Sequence, residues 1–265
     1  MGKLPKLFKK GGVIFMSENI LQDKDIRTGL LLGTSGVENL KRATVLVAGC
    51  GAVGGFALEA FARAGVGHLI IVDFDVFDET NLNRQLFATT NTLGELKTKA
   101  VKERLLSINP NLKVTEKNIK ISTETMDEVF EIRPDYAIDA IDSVSAKSFL
   151  IEELIKREIP FISAMGAALK TDLTKIKITS FHKTIECPLA AFVRKRLRQR
   201  GVSLKFPVVC STECVSDKKA LAEKADSSTG RRAMGSLVTV TGIFGLMCAH
   251  EAILFLAAKD ECVVI

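Results

Sequence analysis

Gly49, Cys50, Gly51, Ala52, Val53 and Gly54 form a G-x-G-x-x-G segment directly after a β-branched apolar run, with Gly55 extending it. In that context glycines let backbone N–H groups approach phosphate oxygens, while the N-terminus of the following helix adds partial positive charge. Asp73 stands nineteen residues past Gly54, at the end of the next apolar run, where a carboxylate can accept hydrogen bonds from a ribose. By themselves these residues say nucleotide, and an NAD-binding unit for hydride transfer is the competing reading. Asp75, Asn81, Arg84, Gln85 and Lys97 decide against it. Guanidinium forks and ammonium point charges suit β and γ phosphates, a clamp that a dehydrogenase does not need, and no hydride-relay histidine is apparent. Asp142 follows the apolar run YAIDAI at a strand's carboxyl end, where a carboxylate can hold magnesium. Cleavage between the α and β phosphates needs that neutralisation.

Positioning these residues requires parallel strands. The stretch 43–75 reads as strand, glycine turn, alanine-rich helix and second strand, and runs that are apolar throughout belong to sheets buried on both faces. The unit repeats, with helical spacing over 98–109, strands at 113–118 and 135–141, a helix over 145–156 and a short strand at 161–164 behind Pro160. A strand, KIKITS, and a basic amphipathic helix over 189–200 closing at Gly201 come next. Residues 211–232 are polar and read as a mobile crossover loop, least structured over 226–230. The last element, 236–258, carries no formal charge between Ala233 and Cys248, and its small residues suit a core or dimer-interface helix; membrane contact is the minor reading. The fold expected is α/β: a Rossmann-like, doubly wound, mostly parallel sheet with an elaborated C-terminal half.

Composition bounds the setting. The 265 residues are 47% hydrophobic, enough for a sizeable core. Of the net charge of +6, Lys3, Lys6, Lys9 and Lys10 supply four, which leaves about +2 for the rest and turns attention to the local cluster Arg194, Lys195, Arg196, Arg198 and Arg200. That run reads equally as a solvated helix face or as a phosphate-contacting stripe for RNA. One Tyr and no Trp argue against extensive base-stacking platforms. Six cysteines without a C-x-x-C pair fit a reducing cytosol, not a disulfide framework, and no zinc site is expected. Cys210 reads as an inert thiol. The segment 12–16 is too short for a signal-peptide core.

GCGAVGG, DFD, NLNRQ, the lysine after LGEL, and DAIDS resemble the adenylation core of the ThiF-type, ubiquitin-activating-enzyme-like superfamily. RTGLLLG, DAIDSVSAK, KTIECPLAAFVRKRLR and VVCSTE resemble its threonylcarbamoyladenosine dehydratase branch, over about residues 24–257. The resemblance implies that Asp73 binds ribose, that Arg84 and Lys97 hold phosphates, that Asp142 binds magnesium, and that Asn81, Gln85 and Ser143 complete the pocket. Gly49, Gly51, Gly54 and Asp75 belong to the same nucleotide site. Arg27 matches an arginine that reaches the partner subunit's ATP site in relatives, implying a homodimer; its plain reading is a solvated helix charge. Two departures stand out: Cys187 replaces the aspartate usual before PLA, and the zinc cysteine pairs of the sulfur-carrier activators are missing.

The domain plan expected is an N-terminal arm over 1–23, disordered in part, and one adenylation domain over 24–258, followed by a tail over 259–265. Within the domain, 24–165 is the nucleotide half and 166–258 the substrate and dimer half. Catalysis is expected from Arg84, Lys97 and Asp142, with ATP and magnesium, on the carboxylate of threonylcarbamoyladenosine beside a tRNA anticodon. The alternatives are adenylation of a ubiquitin-like sulfur carrier's terminal glycine and non-catalytic, nucleotide-dependent RNA binding. A cysteine desulfurase or sulfur acceptor is a further candidate partner, and the cytoplasm, with peripheral membrane contact as the lesser option, is the expected location.

Overall fold

The computed structural model describes residues 6–10, 13–17, 22–214, 221–225 and 232–258. Two strands, β1 (Lys6–Lys10) and β2 (Val13–Ser17), pair antiparallel inside the expected N-terminal arm. A glycine pair between apolar runs is a hairpin signal, and the sequence reading passed over it.

The apolar runs at the centre of the chain form β3 (Thr44–Ala48), β4 (His68–Val72), β6 (Tyr136–Asp139) and β7 (Phe161–Ala164), and the polar KVTEK forms the edge strand β5 (Lys113–Lys117). With β8 (Ile176–Ser180) and β9 (Pro207–Ser211) they make one seven-stranded sheet in the order β5-β4-β3-β6-β7-β9-β8. All neighbours run parallel except β8, which closes the edge antiparallel to β9. Because side chains alternate between faces along a strand, the sheet feeds two cores. Val45, Val47, Leu69, Ile71 and Ile138 face one, and Leu46, Ala48, Ile70, Val72 and Ala137 face the other.

Helices α1 (Ile26–Arg42), α2 (Gly54–Ala64), α3 (Lys97–Ile108) and α7 (Val238–Ala257) cover the first face. The short α4 (Met126–Val129), α5 (Val144–Lys156) and α6 (Pro188–Gln199) cover the second. The expected doubly wound sheet is therefore present. Helix α1 is two segments joined at Gly33, whose backbone is left-handed (φ 75°), and its first segment leaves Leu30 and Leu31 more than four-fifths exposed.

Helix α7 is long and apolar enough to cross a membrane by length and composition, yet more than half of it is buried against α1, α2 and the sheet. It is a core helix. Its approach to α2 depends on Gly245, where an added Cβ would lie 2.2 Å from the Val53 carbonyl oxygen and 2.9 Å from the Phe56 Cβ.

Strand β9 and helix α1 were not read as elements from the sequence. In the stretch taken for a crossover loop, β10 (Leu221–Ala225) and β11 (Arg232–Met234) pair antiparallel. Its expected least-structured part, 226–230, and the tail 259–265 lie outside the described residues.

Candidate nucleotide site

The sheet order reverses between β3 and β6, so their onward connections leave in opposite directions and open a crevice at the strands' carboxyl ends. Both loops that border it come from motifs singled out above. After β3 the chain enters a left-handed turn at Gly49 (φ 95°), whose N–H donates to the Val72 carbonyl at 2.8 Å. The turn folds so tightly that a Cβ on Gly54 would stand 1.7 Å from the Gly49 carbonyl oxygen. Gly51 is different: an added Cβ would make ordinary contact with the Gln85 side chain, at 3.8 Å, so this part of the loop is not crowded by backbone. Helix α2 starts at Gly54, and its first turn is stitched to the glycine loop, the Gly55 N–H donating to the Gly51 carbonyl at 2.9 Å and the Ala57 N–H to the Val53 carbonyl at 3.3 Å.

Asp73 at the end of β4 braces the loop. Its Oδ2 accepts the Cys50 N–H at 2.7 Å and its Oδ1 the Asp75 N–H at 3.0 Å. Burial pushes its carboxyl above the ordinary range, against the downward pull of the Lys97 ammonium and these two N–H donors. Asp75 in turn fixes Lys97: the two side chains pair at 3.2 Å, and the Lys97 N–H donates to the Asp75 carbonyl at 2.9 Å. Lys97 is buried at the start of α3, 5.9 Å from the centre of the Phe77 ring.

The segment between these anchors carries the other expected residues. Asn81 donates from Nδ2 to Asp78 at 2.9 Å, yet its buried Oδ1, like the buried Oε1 of Gln85, has no hydrogen-bond partner among the described residues. Both oxygens are thus available to accept from a polar ligand. The half-exposed Arg84 donates from Nη1 to the Thr80 carbonyl at 2.6 Å and to Asn83 Oδ1 at 2.9 Å, both neutral acceptors. Its charge therefore meets no carboxylate among the described residues.

Across the crevice, the loop after β6 packs on the glycine turn: a Cβ on Gly49 would approach the Ala140 carbonyl oxygen to 2.9 Å. Asp142 is exposed on this loop, with no side-chain hydrogen bond or ion pair among the described residues. Ser143 caps α5 by position, without a side-chain cap bond. Beneath them lies a network centred on Asp139, for which the sequence suggests a structural role, and on Lys147, for which it does not. Lys147 is fully buried and donates to Asp139 Oδ2 at 2.8 Å, Ser163 Oγ at 3.2 Å and the Ala164 carbonyl at 2.9 Å. Asp139 Oδ1 accepts the Ile141 N–H at 3.2 Å, so the same carboxylate holds the turn that presents Asp142. The lysine sits in the quoted DAIDSVSAK motif, but a lysine on a helix reads as surface.

The remaining expected residues lie apart from this crevice. Arg27 is exposed on the first segment of α1 and makes no side-chain contact to the crevice residues among those described. The basic run divides by direction. Arg194 donates to the Thr184 carbonyl at 2.7 Å, Arg196 and Arg200 lie over the Phe149 ring at 5.2 and 4.9 Å, and Arg200 also pairs with Glu152. Lys195 and Arg198 point outward. Cys187, which stands where an aspartate is expected, is the N-cap of α6: Sγ accepts the N–H groups of Ala190 and Gly166, each at 3.4 Å. Cys210 is buried, and burial pushes its thiol above the ordinary range.

Residues 23–263 match the ThiF family. The chain is similar to the tRNA threonylcarbamoyladenosine dehydratase of Bacillus subtilis, 44% identical over 187 residues that cover 71% of this chain and 74% of that protein. It is 33% identical to the enzyme of the same name from Escherichia coli, over 88% of this chain and 92% of that protein. The crystal structure of E. coli TcdA, the tRNA N6-threonylcarbamoyladenosine dehydratase, in complex with ATP superposes with a TM-score of 0.82 at 30% identity, covering 93% of this chain and all of that one. On these matches the chain belongs to the ThiF family, in the branch that holds the tRNA threonylcarbamoyladenosine dehydratases.

Proposed function

We propose that this protein dehydrates threonylcarbamoyladenosine beside the anticodon of tRNA, using ATP to adenylate its carboxylate. The observation that carries the reading is the crevice between β3 and β6. Along its borders lie the glycine turn, the Asp73 carboxylate that braces it, the Gln85 side chain beside Gly51, and the loop after β6 that carries the exposed Asp142. The names and ATP complex of the relatives supply the substrate.

In this reading the amides of the glycine loop and the α2 N-terminus hold the triphosphate, and Asp73 takes the ribose. Asn81 and Gln85 give their free amide oxygens to the nucleotide. Arg84 and Lys97 take up charge as pyrophosphate leaves. Asp142, with Ser143 beside it, would hold magnesium. Among the described residues no group of three or more His, Cys, Asp or Glu side chains could hold a metal ion, and a single carboxylate suits this one, since magnesium keeps phosphate oxygens and water as its other ligands. That ion would neutralise the phosphates during transfer.

The substrate's carboxylate oxygen attacks the α phosphorus, and pyrophosphate departs. The neighbouring ureido group then attacks the acyl carbon, loses its proton, and closes a ring as the carbon–oxygen bond to AMP breaks. No side-chain nucleophile is required, because both reacting groups sit on one substrate.

The enzyme works as a homodimer in this proposal, with Arg27 from the exposed first segment of α1 completing the site of the other copy. A cytoplasmic setting goes with a tRNA substrate. Among the described residues Cys214 is the exposed thiol, where a sulfur-transfer partner would have to act.

The test is AMP and pyrophosphate release with threonylcarbamoylated tRNA as stimulant. Arg84→Ala and Asp142→Ala are expected to lose release while still folding. Release stimulated by a ubiquitin-like carrier and untouched by modified tRNA would transfer the assignment to sulfur-carrier activation. RNA binding and biological activity unaffected by both substitutions would mean a non-catalytic role.

A further inference from the structure

Helix α6 spends three of its basic side chains on the fold. Arg194 grips the 181–184 turn and lies 5.5 Å over the Phe181 ring, while Arg196 and Arg200 cover Phe149. Val193 and Leu197 are fully buried beneath them. Lys195 and Arg198 remain exposed, with no ion pair among the described residues. On the same outward surface Phe192 is 63% exposed. At 3.6 residues per turn, Arg198, Lys195 and Phe192 fall within an arc of roughly 120°, and Phe192 and Lys195 are neighbours at three positions' spacing. A large aromatic left uncovered beside two cations is not explained by the core.

The position of the helix adds a second observation. Its N-cap, Cys187, is fastened to the Gly166 N–H just beyond β7, and β7 adjoins β6, whose onward loop carries Asp142. The first turns of α6 therefore stand at the same carboxyl-end rim of the sheet as the crevice.

We propose that this outward face of α6 receives the anticodon loop, with Phe192 stacking on an unpaired base and Lys195 and Arg198 contacting the flanking phosphates. The inference rests on tRNA being the substrate. Single-stranded loops can splay a base onto an aromatic ring, and stacking tolerates any base because each has a π-face. The uncompensated cations match a phosphate backbone in charge. Phe192 thus supplies one stacking platform in a chain with one Tyr and no Trp.

The experiment measures the affinity of the full-length protein for intact tRNA by anisotropy at several salt concentrations, with thermal midpoints and sedimentation as controls. Phe192→Ala is expected to weaken binding roughly five- to a hundredfold, the range of one lost base–aromatic stack. Phe192→Leu, which keeps an apolar side chain, should lose most of the same affinity. Lys195→Gln and Arg198→Gln should each lower the slope of log affinity against log salt by about one. All four variants should keep the wild-type midpoint, since these side chains are exposed. If wild type dehydrates modified tRNA while the variants bind it with unchanged affinity and slope, the surface is wrong and the activity stands. If the variants change the sedimentation state and leave RNA affinity alone, a second copy covers this face and the proposal falls. Wild type that binds no tRNA removes the functional reading itself.

Discussion

Asp73 is asked to stay charged in a place that resists charge. Burial raises its pKa from the ordinary 3.8, although Lys97 and the Cys50 and Asp75 amides oppose the shift. A carboxyl whose folded pKa is raised binds its proton more tightly in the native state, so stability is lost as pH climbs from the unfolded value through the folded one. Wild type should therefore lose stability relative to Asp73→Asn across that acid window, with a constant difference above it. Urea melts at a series of pH values check this, and parallel curves throughout would contradict it. The account also expects Lys97→Ala to lower kcat/KM for ATP-dependent release about a hundredfold, the scale for one preorganised charge-stabilising donor, in steady-state assays. Asp73 and Lys97 were legible in the sequence because a strand–turn–helix unit fixes where such residues emerge. Lys147 was not, because what makes it internal is Asp139 on β6 together with Ser163 and Ala164 on β7, none of which its own helix reveals. Cys187 was noticed as a departure, but its capping contacts depend on Gly166, twenty-one residues earlier.

Two packing devices hold the site's elements in place. Removing the ammonium by Lys147→Met would strand the fully buried Asp139 carboxylate, and a loss of about 3–5 kcal/mol is expected in chemical denaturation. The double variant Asp139→Asn/Lys147→Met should cost less than the sum of the single changes. The second device is the seat of α7 on α2. Gly245→Ala would drive a methyl group into the Val53 carbonyl and should destabilise by roughly 1–3 kcal/mol. Because Val53 belongs to the glycine loop, ATP affinity should fall with it in calorimetric titration. Strands β3, β4, β6 and β7 were readable since they are apolar runs buried on both faces. Strand β9 escaped because it begins with Pro207 and runs straight into the polar stretch after Ser211, while its pairing depends on β7 and β8. Helix α1 escaped because Gly29, Gly33, Thr34, Ser35 and Gly36 look like a loop, and Gly33 does break it.

At the scale of the whole molecule, the exposed first segment of α1, with Ile26, Leu30 and Leu31 uncovered, fits a contribution in trans from Arg27. Mixing Arg27→Ala with Asp142→Ala protein should restore activity, since the mixed dimer holds one intact site. With free subunit exchange, recovery should approach about a quarter of wild type, as half the dimers are mixed and each has one working site of two. Inactive mixtures that contain verified mixed dimers would show that each copy serves itself. The chemistry that unites these scales is transfer of AMP to the substrate's carboxylate. The most direct measurement supplies tRNA whose threonylcarbamoyl carboxylate carries heavy oxygen, together with ATP and magnesium, and follows the label by mass spectrometry. The account predicts a product nucleoside lighter by one water and AMP bearing one labelled oxygen. Label in inorganic phosphate, or a dehydrated product formed without labelled AMP, would contradict adenylation.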